Sequence, residues 1–126
     1  MSKVIVDTDV LIGFLRGHEA AKIFLLEMTE HSIPCCSVMS VAELYAGVRP
    51  QEIEVTADLI DRMAVLPVTR QIAEVAGHFK NRTKHRRLEL ADCLIAATAF
   101  VEDASVATGN AKDYPMPEIT VLPAPR

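Results

Sequence analysis

Cysteine is scarce in this sequence, and its three residues do not form a metal-binding pattern. Cys35 and Cys36 are adjacent in one apolar run, and Cys93 lies in another. There is no CxxC pair and no cysteine–histidine spacing suited to zinc, which argues against a zinc site. The pattern instead predicts buried, reduced thiols that pack as small apolar side chains.

Long hydrophobic runs are also missing, which excludes a membrane-spanning helix, since such a helix needs about 20 mostly apolar residues. The first residues lead directly into a strand pattern, without the basic and apolar segments of a secretory signal. We therefore expect a cytoplasmic protein that does not bind membranes. Repeats, low-complexity segments and linkers are absent as well, so the chain is predicted to form a single domain, residues 1–126.

Basic residues are outnumbered by acidic residues, which gives a formal net charge of −4. This argues against a protein that coats nucleic acid by charge alone. The cations are nevertheless concentrated in one short stretch, which contains Lys80, Arg82, Lys84, His85, Arg86 and Arg87. Two interpretations remain open: a solvated helix end, where the helix dipole favours cations, or a patch that contacts phosphates.

Half of the residues are apolar, and they occur in short strand-like runs that alternate with segments of helical periodicity. The predicted strands cover residues 4–6, 33–38, 65–68, 105–108 and 119–122. The predicted helices cover residues 10–16, 18–30, 41–48, 51–63 and 90–101, with a further helix from residue 69 into the region of residue 80. This alternation predicts an α/β fold with a parallel sheet and right-handed crossovers.

Asp7 directly follows the first predicted strand, Val4-Ile5-Val6, whose branched aliphatic residues indicate burial on both faces. In open α/β sheets the ligand crevice lies outside the carboxyl ends of the strands, so this acid is well placed for chemistry. Asp9 or Thr8 is predicted to cap the helix that follows.

Asp92 is the second unusual acid, because it shares a predicted helical face with apolar residues at i+3, i+4 and i+7. A carboxylate rarely stays in such surroundings unless it is paired or bound to a cation. The alternative is an acid at a helix N-terminus, stabilised by the helix dipole.

Glu43 is the third acid, and its helical neighbours Ser40, Ala46 and Gly47 are all small. Small residues allow another segment or a ligand to approach that face. The alternative is a capping box, in which Ser40 caps the helix and Glu43 bonds back to it.

The stretch from Thr108 to Asp113 follows a predicted strand, just as Asp7 does. Thr108 is expected at the carboxyl edge of its strand, on the same side of the sheet as Asp7. Asn110 and Asp113 are ordinary turn residues, but a loop at this edge can also deliver an amide or a further carboxylate.

If Asp7, Glu43 and Asp92 meet, each pair of charges about 5 Å apart repels by roughly 3 kcal/mol at an effective dielectric near 20. Such a cluster persists only by taking up protons or a cation. Oxygen ligands around a partly hydrated site suit Mg²⁺ or Mn²⁺. Those ions serve phosphoryl chemistry, because they polarise the phosphate, lower the pKa of a bound water and offset charge in the transition state.

Four motifs, in this order, resemble the PIN-domain family, and within it the VapC-type toxins of bacterial and archaeal toxin–antitoxin pairs. The motifs are Asp7-Thr8-Asp9-Val10-Leu11-Ile12, Ser40-Val41-Ala42-Glu43-Leu44-Tyr45-Ala46-Gly47, Leu90-Ala91-Asp92-Cys93-Leu94-Ile95-Ala96-Ala97-Thr98-Ala99 and Ala107-Thr108-Gly109-Asn110-Ala111-Lys112-Asp113-Tyr114. Each motif alone is weak, whereas four in order over almost the whole chain are specific.

The resemblance implies a three-layer α/β/α sandwich with a mainly parallel sheet of four to five strands. It also implies a Mg²⁺- or Mn²⁺-dependent endoribonuclease that forms a homodimer and is silenced by a cognate antitoxin. Asp7, Glu43 and Asp92 match the acidic positions of the family, with Asp7 and Asp92 as the direct metal ligands. Asn110 or Asp113 would complete the site.

In the mechanism that this resemblance implies, Thr108 and Asn110 order the water around the metal ion. The phosphates that flank the cleaved bond would be contacted by basic residues, namely Arg16, Lys84, Arg86 and Arg87. The substrate would be single-stranded or looped RNA.

Two other functions remain open. Asp7-Thr8-Asp9 also resembles the DxD motif of haloacid-dehalogenase-type phosphatases, although no lysine followed by an acidic pair comes after Thr108. A non-catalytic PIN-like module that binds RNA or protein is the second alternative. The crowded acids argue against it, because a scaffold has no use for them.

Overall fold

The central feature of the computed structural model, which describes residues 1–126, is one fully parallel sheet. Its five strands are β1 (Ser2–Val6), β2 (Ser32–Ser37), β3 (Ala64–Leu66), β4 (Ser105–Thr108) and β5 (Val121–Pro123). The spatial order is β3-β2-β1-β4-β5, so the first strand of the chain lies in the middle of the sheet. The parallel α/β sheet predicted from the sequence is confirmed.

Six helices connect and cover the strands: α1 (Thr8–Leu15), α2 (Glu19–His31), α3 (Val38–Ala46), α4 (Ile53–Asp61), α5 (Arg70–Arg82) and α6 (Leu90–Val101). Two short 3₁₀ turns occupy Pro50–Glu52 and Ala111–Asp113. None of the helices combines the length and the apolar character that crossing a bilayer requires.

β1 is buried on both faces because it is flanked by strands and covered by helices. Val4 and Val6 point into an apolar cluster formed with α1 to α4, whereas Ile5 points to the opposite face and packs with α5 and α6. All three residues are at most 2% exposed. The sheet is therefore sandwiched between two helical layers, and the end of β1 is held rigidly.

α6 is the most deeply buried helix, and its bounds match the prediction. Every residue from Cys93 to Ala99 is buried, because α6 packs between α5 and the sheet. Asp92 lies in the first turn of this helix, immediately before the buried segment. The position of its carboxylate is therefore fixed by the core.

The predicted helix caps are wrong at two places. Ser37, not Ser40, caps α3, and its hydroxyl accepts a hydrogen bond from the Met39 amide at 3.0 Å. The reason is that β2 runs directly into α3 without a loop, which places Ser40 inside the helix, where it is fully buried. Similarly, Asp7 rather than Thr8 or Asp9 occupies the N-cap position of α1, without a side-chain capping bond.

Other boundaries differ by a few residues from the prediction. The segment predicted as one helix over residues 51–63 is a 3₁₀ turn followed by the shorter α4, because Pro50 starts a tight turn. α1 begins at Thr8, two residues earlier than predicted, and β5 lies at Val121–Pro123 rather than residues 119–122. Gly17 adopts φ 80° after α1, as the predicted helix end requires.

The three cysteines are free and fully buried, as predicted. Burial raises the pKa of the Cys36 thiol to about 11, so this side chain stays protonated at neutral pH. It contributes apolar packing to the cluster beneath α1 to α4.

Candidate active site

Asp7 lies where the two central strands end, and it is only 4% exposed. Its amide donates a hydrogen bond to the carbonyl oxygen of Ala107 at 2.9 Å, which extends the pairing of β1 with β4 by one step. Burial raises the pKa of the Asp7 carboxyl, despite the hydrogen bond that it accepts from Thr108. A buried acid with one bonded oxygen is thus held at the carboxyl edge of the sheet.

Thr108 reaches Asp7 because β1 and β4 are parallel neighbours whose carboxyl ends lie side by side. Its hydroxyl donates to Oδ2 of Asp7 at 2.7 Å and accepts a hydrogen bond from the amide of Asn110 at 3.0 Å. The Asn110 side chain in turn donates through Nδ2 to Oδ2 of Asp113 at 2.6 Å. The strand end and the following 3₁₀ turn therefore form one hydrogen-bonded unit with Asp7.

Glu43 is oriented by Thr8, the first residue of α1. The Thr8 hydroxyl donates to Oε1 of Glu43 at 2.7 Å and lies 2.8 Å from the Ser40 hydroxyl. Since Thr8 has one hydroxyl proton and gives it to Glu43, Ser40 must be the donor to Thr8. Glu43 does not form the predicted capping box with Ser40, and its carboxylate points towards the residue that follows Asp7.

The environment of Asp92 indicates which acids lie near one another. These acids, called the acidic region below, are Asp7, Asp9, Glu43, Asp92 and Asp113. Burial raises the pKa of the Asp92 carboxyl to about 7, helped by the negative charges of Asp7, Asp113, Glu43 and Asp9 in that order. A helix dipole acting alone on a first-turn acid would lower the pKa. Burial and the repulsion of the other carboxylates together outweigh the dipole, and the alternative explanation of Asp92 as a simple helix-end acid does not account for this environment.

Tyr114 belongs to the same region, although the sequence analysis did not single it out. It is 3% exposed, and burial together with the charges of Asp7 and Asp92 raises the pKa of its hydroxyl. The hydroxyl lies near enough to Asp7 for the two groups to affect each other's pKa, but it has no partner that meets the geometry of a hydrogen bond. In the sequence, an aromatic residue after a turn resembles any core aromatic residue, so no signal marked it.

The chemistry of these donors fits a hydrated divalent cation. No three acidic, histidine or cysteine side chains are placed so that together they could hold a metal ion directly. Mg²⁺, however, commonly keeps several waters and binds through one or two carboxylates. The raised pKa of Asp92 marks a place where positive charge would be favourable. Asp7, which is buried, and Asp92, which is half-buried, are the acids that could hold it.

The basic stretch divides into structural and free residues. Lys80 donates to the carbonyl oxygen of Leu88 at 2.5 Å, and Arg82 pairs with Glu118 while its guanidinium lies 5.0 Å from the centre of the Phe79 ring. Both therefore stabilise the end of α5, as the helix-end interpretation expects. The remaining cations lie beyond α5 in a loop.

That loop is connected to the acidic region by Arg86, whose Nη1 donates to the carbonyl oxygen of Lys112 at 2.6 Å. Lys84 and Arg87 are exposed and form no ion pair. Arg16, on the other side, is paired with Glu52 through an Nε–Oε2 distance of 2.9 Å. Of the four basic residues predicted to contact phosphates, Lys84 and Arg87 are thus the two without a protein partner.

A cavity of about 350 Å³ opens beside the acidic region. Asp9, Asn110, His18 and Arg126 contribute its polar lining. Asp7, Glu43, Asp92 and Asp113 do not line it, so the cavity adjoins the site through Asp9 and Asn110 alone.

A parallel α/β sandwich with acids gathered at the carboxyl ends of its central strands is the arrangement expected of a PIN-type nuclease fold. The family model described as PIN domain matches residues 4–115, and the chain belongs to the PIN-domain family. The resemblance inferred from the four sequence motifs is confirmed. The match gives no support to the alternative interpretation of Asp7 and Asp9 as a phosphatase motif.

The chain is similar to two curated proteins of Mycobacterium tuberculosis. It is 41% identical over 115 residues to Ribonuclease VapC10, covering 90% of this chain and 86% of that protein. It is 34% identical over 115 residues to Ribonuclease VapC19, covering 89% and 92%. Among solved structures, a toxin–antitoxin complex from Klebsiella pneumoniae has a similar fold, with a TM-score of 0.81 at 24% identity over 95% of this chain and 96% of that one.

Proposed function

We propose that this chain is an endoribonuclease of the VapC type that depends on Mg²⁺ or Mn²⁺ and acts as the toxin of a toxin–antitoxin pair. The RNA-cleaving activity is supported by the names of the relatives, VapC10 and VapC19, which are both called ribonucleases. The observation that carries the metal dependence is the environment of Asp92, where burial and, after it, the charges of four other carboxylates raise its pKa to about 7. A non-catalytic scaffold gains nothing from such repulsion.

In this proposal Asp7 and Asp92 hold the cation, and Glu43 and Asp113 contact it directly or through water. When bound, a divalent cation polarises the phosphate, lowers the pKa of water and offsets negative charge that develops during cleavage. The chain itself supplies orientation: Thr108 fixes one oxygen of Asp7. The role of Asn110 is to keep Asp113 in place.

RNA binding is assigned to the cations around this region. Lys84 and Arg87 would contact phosphates that flank the cleaved bond, and Arg86 would hold their loop against the 3₁₀ turn that precedes Tyr114. A contribution from Arg16 requires that its ion pair with Glu52 open. Because exposed cations act mainly on affinity, this part of the proposal concerns binding of RNA rather than the chemical step.

The proposal includes two protein partners. A cognate antitoxin that silences the nuclease is supported by the fold similarity to a toxin–antitoxin complex. A homodimer is part of the same proposal and follows from the family resemblance.

A cleavage assay with purified protein tests the proposed function. End-labelled single-stranded or looped RNA should be cleaved with Mg²⁺ or Mn²⁺, remain intact with excess EDTA, and be cleaved again after Mg²⁺ is restored. DNA of the same sequence is the matched control for the ribose requirement. Cleavage that persists in EDTA, or a chain that binds RNA but never cleaves it under any of these conditions, would contradict the proposal.

Thr8→Val is expected to weaken catalysis through Glu43. Valine has almost the same shape but cannot donate to Glu43 or accept from Ser40, so the variant should lose about 1–2 kcal/mol of stability. RNA cleavage should fall about 10- to 100-fold, the usual effect of removing a residue that orients a metal-site ligand. Chemical denaturation and cleavage rates measure the two effects.

The matched control for this variant is Thr98→Val, which removes a buried hydroxyl that bonds only the carbonyl oxygen of Leu94 within α6. This control should reduce stability slightly and leave cleavage almost unchanged. Equal losses of cleavage in both variants would show that Thr8 contributes only packing.

A further inference from the structure

Tyr114 carries a hydroxyl that no protein group satisfies. The side chain is 3% exposed, and its hydroxyl oxygen is enclosed without a hydrogen-bond partner. A buried hydroxyl without a partner is unfavourable unless binding of a ligand or ion allows it to form a hydrogen bond. Asp7 and Asp92 act on the pKa of this hydroxyl, so we expect its missing hydrogen bond on the side of these two carboxylates.

The fold fixes the direction of this hydroxyl. The amide of Tyr114 donates to the carbonyl oxygen of Ala111 at 3.0 Å, at the end of the 3₁₀ turn. Its ring belongs to the apolar cluster that also contains Met116 and the buried face of α6. Because the ring is held by backbone and core, the hydroxyl has little freedom to move away from Asp7 and Asp92, whose charges act on it.

Asp7 has room for a second donor. Its Oδ2 accepts from Thr108, and a carboxylate has about four acceptor sites on its two oxygens. A further hydrogen bond from the Tyr114 hydroxyl is therefore within the acceptor capacity of Asp7. A phenol keeps its proton at neutral pH, since its ordinary pKa is about 10, and it can therefore donate.

We propose that Tyr114 is a positioning residue whose hydroxyl donates a hydrogen bond to the Asp7 carboxylate once a divalent cation binds there. This inference rests on the proposed function, because it requires a cation held by Asp7. The bond fixes the plane of the Asp7 carboxylate and satisfies the buried hydroxyl in the same step. It makes the cation-bound state the one in which this part of the core has all its hydrogen bonds.

Tyr114→Phe tests the proposal because it removes the hydroxyl and leaves the ring. Calorimetric titration of the RNA-free protein with Mg²⁺ or Mn²⁺ should show an affinity about ten- to a hundredfold weaker than in the wild type, the effect of losing one hydrogen bond to a charged ligand group. The matched control is Tyr45→Phe, which alters the other tyrosine of the chain, exposed on α3. Tyr45→Phe should bind the cation as the wild type does.

A spectroscopic signature provides a second measurement that does not alter position 114. The chain contains no tryptophan and two tyrosines, so Tyr114 is the sole strong near-ultraviolet chromophore in the Tyr45→Phe variant. A new hydrogen bond from its hydroxyl should shift its absorption band when Mg²⁺ is added. Addition of Mg²⁺ to the Tyr114→Phe variant should leave the band of Tyr45 unchanged.

The outcomes separate this inference from the proposed function. Equal cation affinity of wild type and Tyr114→Phe, together with an unchanged Tyr114 band, would overturn the role of Tyr114 while leaving the metal-dependent nuclease intact. A wild type that binds neither Mg²⁺ nor Mn²⁺ would overturn both. Weaker binding in Tyr114→Phe without a loss of thermal stability in the metal-free protein would support the inference, because a purely structural hydroxyl would have the opposite signature.

Discussion

Replacing Asp92 by asparagine is expected to abolish RNA cleavage and, at the same time, to make the metal-free protein more stable at pH 8. Cleavage should fall at least about a hundredfold, because a proposed ligand of the cation loses its charge. Stability should rise because burial and the charges of Asp7, Asp113, Glu43 and Asp9 all disfavour an ionised Asp92. A neutral amide of the same size removes that repulsion without leaving a cavity.

Opposite changes in activity and stability distinguish a functional acid from a structural one. An Asp92 carboxylate that served only to stabilise the N-terminus of α6 would lose stability on replacement and leave the chemistry intact. Asp61→Asn provides a matched control, since Asp61 is an exposed acid at the end of α4. Undiminished cleavage by folded Asp92→Asn protein would remove Asp92 from the site.

The elements that position the site could be predicted where the composition is extreme. The run Val4-Ile5-Val6 and the apolar segment after Leu90 leave little choice but a buried strand and a buried helix. For that reason the end of β1 at Asp7 and the bounds of α6 around Asp92 were predicted correctly. The parallel topology followed from the alternation of strands and helices, and it brought Thr108 to Asp7 as expected.

The local role of Glu43 could not be predicted from its neighbours in sequence. The pattern of Ser40 followed by Glu43 is typical of a capping box, whereas the structure places Ser40 in the interior of α3. Both side chains instead contact Thr8, more than thirty residues away along the chain. The role of Ser40 and Glu43 therefore depends on tertiary hydrogen bonds to Thr8, which can be seen only in the folded structure.

Tyr114 is a further case in which the sequence carries no signal. Its importance arises because the 3₁₀ turn after β4 leads directly into Tyr114, whose hydroxyl lies near enough to Asp7 to affect the pKa of that carboxyl. Aromatic residues at the end of a turn are ordinary core residues in most proteins. The unsatisfied hydroxyl, not the residue type, distinguishes it.

The metal-free protein is expected to lose stability as the pH rises from about 4 to 7, and divalent cations should reverse this loss. The pKa of Asp92 is about 7 in the folded protein and about 3.9 in an unfolded chain. Between these values the folded state binds the proton more tightly, so the contribution of Asp92 is favourable at low pH and is lost as the pH rises through 7. The pKa of Asp7 is raised as well, which acts in the same direction.

By pH 8 the ionisation of Asp92 is expected to lower the free energy of unfolding by about 2 kcal/mol, after a discount for screening by solvent. Thermal unfolding at pH 5 and pH 8, compared between the wild type and Asp92→Asn, isolates this contribution, because all other titratable groups are the same in the two proteins. Between pH 5 and pH 8 the melting temperature of the wild type should fall by about 5–10 °C more than that of the variant.

Mg²⁺ should restore the lost stability of the wild type at pH 8 and have little effect at pH 5, because the cation must displace the proton from Asp92. Asp92→Asn should respond weakly to Mg²⁺ at both pH values. A wild type whose stability rises with pH between 5 and 8 relative to Asp92→Asn would mean that Asp92 is stabilised by its charge. The acids would then form an ordinary structural network, and the cation would have no reason to bind among them.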